Sequence, residues 1–255
     1  MEKSTLIGVV GGVLSVGVGM YLKGADPHAL INPAAFLIII AGTTAAVCNA
    51  MPTSQLKAFP KLLKKIFGGQ KLMDKQEIVD LFVELAKTVK RDGTMAIEKK
   101  ANEISDPFLK TTLGMVADGF NADFISEVVE ADIKNMESRH RAGALIFAQG
   151  GMYAPTLGVL GAVIGLIAAL GNLTDIEKLG HSIAAAFIAT MLGIFTGYVI
   201  CHPFANKLKQ LSEEEVSLKK MILEGALALQ SGASSMAMEA KLQSFIPPSK
   251  RKAKE

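Results

Sequence analysis

The sequence has 255 residues, of which 50% are hydrophobic and 20% are charged, and its net charge is +3. This balance, without a basic stripe interleaved with aromatic residues, argues against a nucleic-acid partner. The two cysteines, Cys48 and Cys201, have neither a metal-type spacing nor the pattern of a disulfide framework.

Four windows of the sequence contain no Asp, Glu, Lys or Arg: residues 5–22, 31–52, 142–172 and 182–201. A helix needs about 20 apolar residues to cross the hydrocarbon core, and only a helix bonds its own backbone fully in lipid. We therefore predict four transmembrane helices. The first window is longer than the apolar core of a signal peptide and no A-x-A cleavage site follows it, so we expect it to be retained.

The basic residues predict the orientation of these spans. Segment 53–141 holds 15 of the 27 Lys and Arg residues and segment 204–255 holds nine, whereas loops 23–30 and 172–181 hold one each. Because basic residues accumulate on the cytoplasmic side of a membrane, both long segments and both termini are expected in the cytoplasm.

The segment between the second and third spans has the pattern of helices. A stripe of apolar residues at helical spacing precedes Gly93, which is expected to end the helix: Ile78, Leu81, Phe82, Leu85 and Val89. Asp106-Pro107 is typical of a helix start, with Gly119 as the stop. A long helix is expected from about Ala122 into the third span, and span four is expected to continue to about Leu229.

The fold class that follows is all-α: a polytopic membrane protein with four transmembrane helices and a helical cytoplasmic domain. We divide it into spans one and two (1–52), a cytoplasmic helical domain (53–141), spans three and four (142–203), and a cytoplasmic helix with a basic tail (204–255). No nucleophile–base set, metal cluster or phosphate-binding glycine loop is evident, so no enzyme activity, cofactor or metal is predicted.

The absence of ionisable residues from the spans limits the chemistry of this chain. Carboxylates inside a membrane usually mark the path of a proton. The chain therefore either moves no ions or works with a partner helix that brings the carboxylate.

Spans three and four carry features that suit close helix packing. Thr190 shares a face of span four with Ala186, Gly193 and Gly197, which would let another helix approach or leave room for water. The alternative is that its hydroxyl bonds back to its own helix. Three glycine pairs spaced by four favour an oligomer: Gly8–Gly12, Gly161–Gly165 and Gly193–Gly197.

Proline interrupts each of the last two spans. Pro155 in span three and Pro203 at the inner end of span four each remove a backbone donor and could act as hinges.

Several long strings resemble the A subunits of flagellar motor stators, the MotA family. They are YAPTLGVLGAVIGLIAAL in span three, LGHSIAAAFIATMLGIFTGYVICHPFANKL in span four, NPAAFLIIIAGTTAAV in span two and KRDGTMAIE at 90–98. The resemblance implies a membrane ring of A subunits, thought to be five, around a B subunit (MotB type) whose aspartate binds the ion. It further implies that the ring turns a rotor switch-complex protein (FliG type) with the energy of the ion gradient.

The resemblance also assigns roles to individual residues. Thr190 matches the threonine that faces the ion path, and Pro155 and Pro203 match the prolines that couple ion passage to movement. Sodium-type members carry a second threonine where this sequence has Ala162, which favours protons. Contact with the rotor falls on Glu98 and on a basic residue.

The basic member falls on Lys90, where the family has arginine, with Arg91 beside it, so either residue could carry the role.

Three other functions stay open at this stage. The first is an energiser of an envelope process (ExbB or TolQ type), although those relatives usually have three spans. The second is a passive membrane scaffold, and the third is a membrane enzyme.

Overall fold

The computed structural model describes residues 3–93 and 95–251, and helix accounts for 85% of the chain. The described residues contain no strand. The longer helices, in chain order, are α1 (Lys3–Leu22), α2 (Pro33–Ala50), α3 (Phe59–Gly68), α4 (Lys75–Asp92), α5 (Met95–Glu103), α6 (Pro107–Ala117), α7 (Ala122–Leu170), α8 (Ile176–Gln230) and α9 (Ser235–Gln243).

Three shorter helical segments accompany these helices. Pro27–Leu30 and Thr53–Leu56 lie between longer helices, and Pro248–Lys250 follows α9. Four helices are long and apolar enough to cross a membrane: α1, α2, α7 and α8. Helices α1 and α8 contain windows 5–22 and 182–201, α2 fills all but two residues at each end of window 31–52, and α7 contains all but the last two residues of window 142–172. This agreement confirms the predicted fold class. The helices α2 and α8 are not uniform, because each includes a π-helical segment, Leu37–Ala41 and Phe195–Cys201 respectively.

The chain divides into two compact units. The first comprises residues 1–70 and 140–210, and the second comprises residues 71–139 and 211–255. Residues 53–70, which the sequence analysis grouped with the cytoplasmic segment 53–141, therefore cluster with the spans in the first unit. Helices α7 and α8 each contribute residues to both units.

Local sequence signals begin and end the helices of the second unit. Gly93 ends α4 with a positive φ of 75°, and its N–H donates to the carbonyl oxygen of Val89. Asp106 caps α6, because its carboxylate accepts the N–H of Leu109 at 2.8 Å. Gly119, after α6, also has a positive φ. These three predicted signals are confirmed.

The core of the second unit is formed by apolar side chains from every helix from α4 to α9. Nine of its residues have no exposed surface, among them Phe82, Leu109, Leu113, Ile125 and Met221. At Gly225 of α8 an added Cβ would lie 2.9 Å from the ring of Phe82, so this glycine admits a large aromatic side chain.

Helix α9 was missing from the sequence analysis, which expected only a basic tail after about Leu229. Gly232 ends α8 with a φ of 72°, and the hydroxyl of Ser234 then caps α9 by accepting the N–H of Ala237 at 3.3 Å. Met238 and Leu242 of α9 are fully buried in the core of the second unit. Glycine followed by a serine cap is the signal that could have found it.

Candidate functional site

The third and fourth spans are packed so closely that their backbones touch. A Cβ added at Gly158 of α7 would lie 2.9 Å from the carbonyl oxygen of Ala189 in α8. In the other direction, a Cβ added at Gly193 would lie 2.7 Å from the carbonyl oxygen of Ala154 and 2.8 Å from the Cα of Gly158. Only glycine fits at these positions, because the neighbouring atoms belong to the backbone and cannot turn aside.

The same contact continues toward the other end of the spans. A Cβ added at Gly161 would lie 3.0 Å from the Cβ of Ala189, and one added at Gly165 would lie 3.0 Å from the Cβ of Ala186. Ala35 and Ile39 of α2 join Ala154 and Ala189 in a small buried cluster, so spans two, three and four meet here.

This packing changes the meaning of the glycine pairs. From the sequence, these glycine pairs predict an oligomer. In the structure, Gly161–Gly165 and Gly193–Gly197 bring α7 and α8 of the same chain together. Gly12 of the third pair faces the side chain of Val199 in the same chain, whereas Gly8 has no heavy atom within 4 Å of an added Cβ. Contacts within the chain therefore account for two of the three pairs and for Gly12, while Gly8 has no such contact and the predicted oligomer stays a prediction.

Thr190 lies at the margin of this contact and is half-buried. Its hydroxyl donates to the carbonyl oxygen of Ala186 at 3.3 Å, which is the bond to its own helix that the sequence analysis gave as the alternative. The carbonyl oxygen of Thr190 lies 3.3 Å from a Cβ added at Gly158. Ala162 follows Gly158 by one helical turn and is also half-buried, so both candidate ion-path residues lie on helices in direct contact.

Pro155 leaves one carbonyl of α7 without its helical donor. That carbonyl belongs to Gly151, four residues earlier, because proline has no N–H to give it. Gly197 of α8 lies against it: a Cβ added there would be 2.8 Å from the oxygen of Gly151 and 2.8 Å from Cγ of Pro155. Helix α7 continues through the proline, and its ring and free carbonyl are both covered by a glycine backbone.

Pro203 directly follows the π-helical segment Phe195–Cys201. The N–H of His202 donates to the carbonyl oxygen of Gly197, five residues back, which is the wider π pattern. Proline removes the donor that an α-helix would place next, and the wider segment adapts the helix to this loss. Gly197 therefore contacts the ring of Pro155 directly, and its carbonyl belongs to the π-helical segment that leads into Pro203.

Two polar groups near the spans were missed by sequence reasoning. Thr43 of α2 is buried, and its hydroxyl has no hydrogen-bond partner among the described residues. At the start of α1, Thr5 donates to the carbonyl oxygen of Ile66 and accepts from the ammonium group of Lys207. Thr43 lies in the string NPAAFLIIIAGTTAAV, and a hydroxyl group within this apolar run was the signal by which it could have been found.

The candidate rotor residues lie in the second unit, where α4 ends and α5 begins. Lys90, Arg91 and Glu98 are all exposed. Arg91 makes a two-pronged ion pair, because its Nε and Nη2 donate to Oδ1 and Oδ2 of Asp92 at 2.8 Å each. The guanidinium hydrogen bonds hold the pKa of Asp92 below its usual value, and the same pairing raises the pKa of Arg91.

A charged groove of about 650 Å³ separates these two helices, and its lining includes Arg91, Asp92 and Glu98. Lys90 is not part of that lining among the described residues. The groove therefore brings together Arg91 and Glu98, and its other charged residues are Glu84, Lys99, Lys100 and Glu103. Within the part of the chain that the structure describes, no group of three or more His, Cys, Asp or Glu side chains could hold a metal ion.

Comparisons with known proteins match this architecture over nearly the whole chain. The model of the MotA/TolQ/ExbB proton channel family matches residues 100–221, and a model described as motility protein A N-terminal matches residues 6–93. Motility protein A of Bacillus subtilis is 48% identical over 251 residues, which is 98% of this chain and 93% of that protein.

Solved structures agree with this match. The flagellar MotAB stator complex from Bacillus subtilis superimposes with a TM-score of 0.92 at 48% identity, and C. jejuni MotAB superimposes with a TM-score of 0.92 at 33% identity. Both matches cover 97% of this chain and 97% of the other. The chain belongs to the MotA/TolQ/ExbB proton channel family and resembles its motility A proteins from end to end.

The glycine contact between spans three and four generates a stability prediction. Gly193→Ala should destabilise the protein by about 1–3 kcal/mol, because the added methyl group would overlap backbone atoms of α7. The measurement is thermal unfolding of the purified chain in detergent, followed by far-UV circular dichroism. Gly180→Ala in α8 is the control, since its added Cβ meets no heavy atom within 4 Å. Equal midpoints for the two variants would contradict the packing argument.

Proposed function

We propose that this chain is the A subunit of a flagellar motor stator, which with a B subunit converts the proton-motive force into torque on a rotor. The observation that carries the proposal is the end-to-end similarity to a flagellar MotAB stator complex. The absence of Asp and Glu from the four uncharged windows agrees with it, because such a channel then takes its carboxylate from a partner. The relatives are stator and channel proteins rather than enzymes.

The missing carboxylate defines the partner. A proton crossing the hydrocarbon core needs an ionisable group, and a MotB-type subunit would supply it as an aspartate on its membrane helix. Support for such a partner comes from the structures that this chain resembles, which are named as MotAB complexes. The chain itself contributes the wall around that aspartate, where spans three and four are held together by backbone contacts.

Protons are the proposed ion. The path would pass Thr190 and Ala162, which lie on α8 and α7 at the margin of the glycine contact. Thr190 offers a hydroxyl, but Ala162 has no oxygen that could replace the hydration shell of sodium. One proton brings about 2.3 kcal/mol for every 100 mV, so torque requires many repeated steps.

Coupling to movement would act through Pro155 and Pro203. Pro155 contacts Gly197, and Pro203 follows the π-helical segment that contains Gly197, so a shift in packing at the partner's aspartate would reach two places at which helical hydrogen bonds are already missing. Helices α7 and α8 extend without interruption from the spans into residues of the second unit, which provides a covalent route for the shift.

The proposed rotor contact is the charged groove lined by Arg91 and Glu98, with Lys90 next to it in sequence. A FliG-type switch protein with the opposite charges would fit it. Arg91 is favoured over Lys90 because it lines the groove, and its pair with Asp92 fixes the guanidinium in one orientation. Exposed charges of this kind determine encounter and specificity more than affinity.

The proposed setting is the bacterial cytoplasmic membrane, with both termini in the cytoplasm. Orientation is supported by the 24 Lys and Arg residues (15 and nine) in segments 53–141 and 204–255. We further propose a homo-oligomer, with five copies around the B subunits, whose outer surface faces membrane lipid.

The alternative is an ExbB- or TolQ-type energiser of an envelope process, which the same broad family includes. The match of residues 6–93 to the N-terminal region of motility protein A favours the stator, because that region holds the first two of four spans, whereas ExbB- and TolQ-type proteins usually have three spans in all. Deletion of the gene should abolish swimming and leave envelope integrity intact, whereas envelope defects with normal swimming would favour the alternative.

The need for a partner gives a direct test. The purified chain alone in liposomes should show no proton flux above protein-free vesicles, and co-reconstitution with a B-type subunit should open a flux. The measurement is quenching of a pH-sensitive dye inside the vesicles under an applied gradient. Proton conduction by this chain alone would refute the assignment of the carboxylate to a second polypeptide.

Thr190 is tested by a substitution of the same shape. Thr190→Val removes the hydroxyl that now bonds to Ala186, and we expect proton flux and swimming speed to fall by up to about tenfold, the value of one hydrogen bond. Thr44→Val is the matched control, because Thr44 is exposed on α2 and bonds to its own helix at 2.8 Å. Unchanged flux in Thr190→Val would remove this residue from the ion path.

Glu98 is tested by reversing its charge. Glu98→Lys should weaken binding of a FliG-type protein about tenfold and slow swimming, because like charges then face each other, while proton flux stays normal. Glu214→Lys on α8 is the control at another exposed site. The measurements are swimming speed, rotor-protein binding and vesicle flux. Equal losses in both variants would point to net charge rather than to the groove.

A further inference from the structure

Helix α3 packs against α7 and α8 near the start of the third span and the end of the fourth. The ring of Phe59 stacks on Phe147 with centroids 5.4 Å apart, and Phe67 meets Phe204 edge to face at 5.5 Å. Phe147 lies near the start of the uncharged window 142–172, and Phe204 follows the end of the window 182–201. Helix α3 is therefore held at the level where both spans leave the hydrocarbon core.

A third span meets α3 at the same level. Ile66 has no exposed surface, and its carbonyl oxygen accepts the hydroxyl of Thr5, the first residue of the window 5–22, at 3.3 Å. Leu62 lies against the backbone of Gly143, where an added Cβ would be 2.9 Å from its side chain. Most of the apolar face of α3 is therefore covered within the first unit of the chain, although Phe59 stays 40% exposed.

The opposite face of α3 carries lysines. Lys61 and Lys64 are exposed and one helical turn apart, and Lys57 is exposed just before the helix begins. Within the described part of the chain, none of these three has an acidic partner. No Asp or Glu occurs anywhere in residues 27–73, so the positive charge is not compensated along the sequence.

An apolar groove of about 430 Å³ begins at the residues that α3 contacts. It runs between α1 and α8, and Gly8, Val9, Tyr198 and Val199 are among the residues that line it. Thr5, Phe204 and Lys207 also line it, so a polar and basic end leads into an apolar channel. A phospholipid has this same division, with an anionic headgroup joined to an acyl chain.

We infer that the lysine face of α3 binds anionic phospholipids, with headgroup phosphates on Lys61, Lys64 and Lys57, while the neighbouring groove between α1 and α8 offers apolar surface to acyl chains. Basic residues beside membrane spans attract acidic lipids, and lysine can extend its ammonium group to the headgroup level. Lysine suits mobile headgroups because it acts as a point charge without the fixed geometry of arginine. This inference needs only the membrane location of the chain, not its role as a stator.

The test measures lipid selectivity of the full-length chain. The chain is reconstituted in vesicles of equimolar phosphatidylcholine and phosphatidylglycerol, and spin-labelled forms of each lipid report how many molecules are held at the protein surface. We expect preference for phosphatidylglycerol, a loss of about fivefold per lysine in the double variant K61Q/K64Q, and weakening by salt.

Two controls separate this site from a general charge effect. K87Q/K110Q removes two exposed lysines of the second unit and should leave the selectivity unchanged, and K61R/K64R should retain it because the charges remain. Inorganic phosphate at matched ionic strength should not displace the labelled lipid, since it lacks the acyl chain.

Three results would overturn the inference. They are equal selectivity in the unmodified chain and K61Q/K64Q, an equal loss in K87Q/K110Q, and displacement by inorganic phosphate. A loss of binding to an acidic segment of a B-type partner in K61Q/K64Q, with lipid selectivity unchanged, would assign the lysines to a protein contact and also overturn it. Failure of the stator proposal would show in swimming and flux, which this measurement does not use.

Discussion

The membrane part of this protein depends on backbone contact between its third and fourth spans. In lipid there is no hydrophobic effect to bring helices together, so close van der Waals contact must do so. Glycine permits that contact at Gly158 and Gly193, where even a methyl group would overlap a carbonyl oxygen or Cα of the neighbouring helix. The positions of Thr190 and Ala162 follow from this contact, because both flank it. The two helices beside the proposed ion path are thus held together by backbone contacts.

The four uncharged windows of the spans hold no Asp, Glu, Lys or Arg side chain, and this absence explains why the chain works with a partner. The spans supply a shaped and mostly apolar surface with a few hydroxyl groups, and the proposed B subunit supplies the titratable group. This division places the energetic cost of a buried charge on the assembled complex and not on the chain before assembly. One of these hydroxyls, that of Thr43 in the second span, is buried and has no hydrogen-bond partner among the described residues.

Sequence reasoning succeeded where the signal was local. Gly93 and the Asp106 cap could be predicted because helix ends depend on a few adjacent residues, and the four spans could be predicted because lipid tolerates so few structures. Sequence patterns could not predict features that depend on which other helix covers a given face. Periodicity placed Gly193 and Gly197 on one face but could not reveal that α7 of the same chain covers it, so the glycine pairs were read as oligomer contacts. Helix α9 was missed because only Met238 and Leu242 mark its buried side, too few for a visible pattern.

The π-helical segment before Pro203 has a geometric consequence for everything downstream of it. A π turn accommodates one residue more than an α turn, so the segment Phe195–Cys201 works like an inserted residue that the helix has absorbed. If that residue were released into regular α geometry, the part of α8 beyond His202 would turn by about 100° and advance by about 1.5 Å, the screw step of one residue. A change of one residue in the hydrogen-bond register of the fourth span would therefore rotate the helix that follows it.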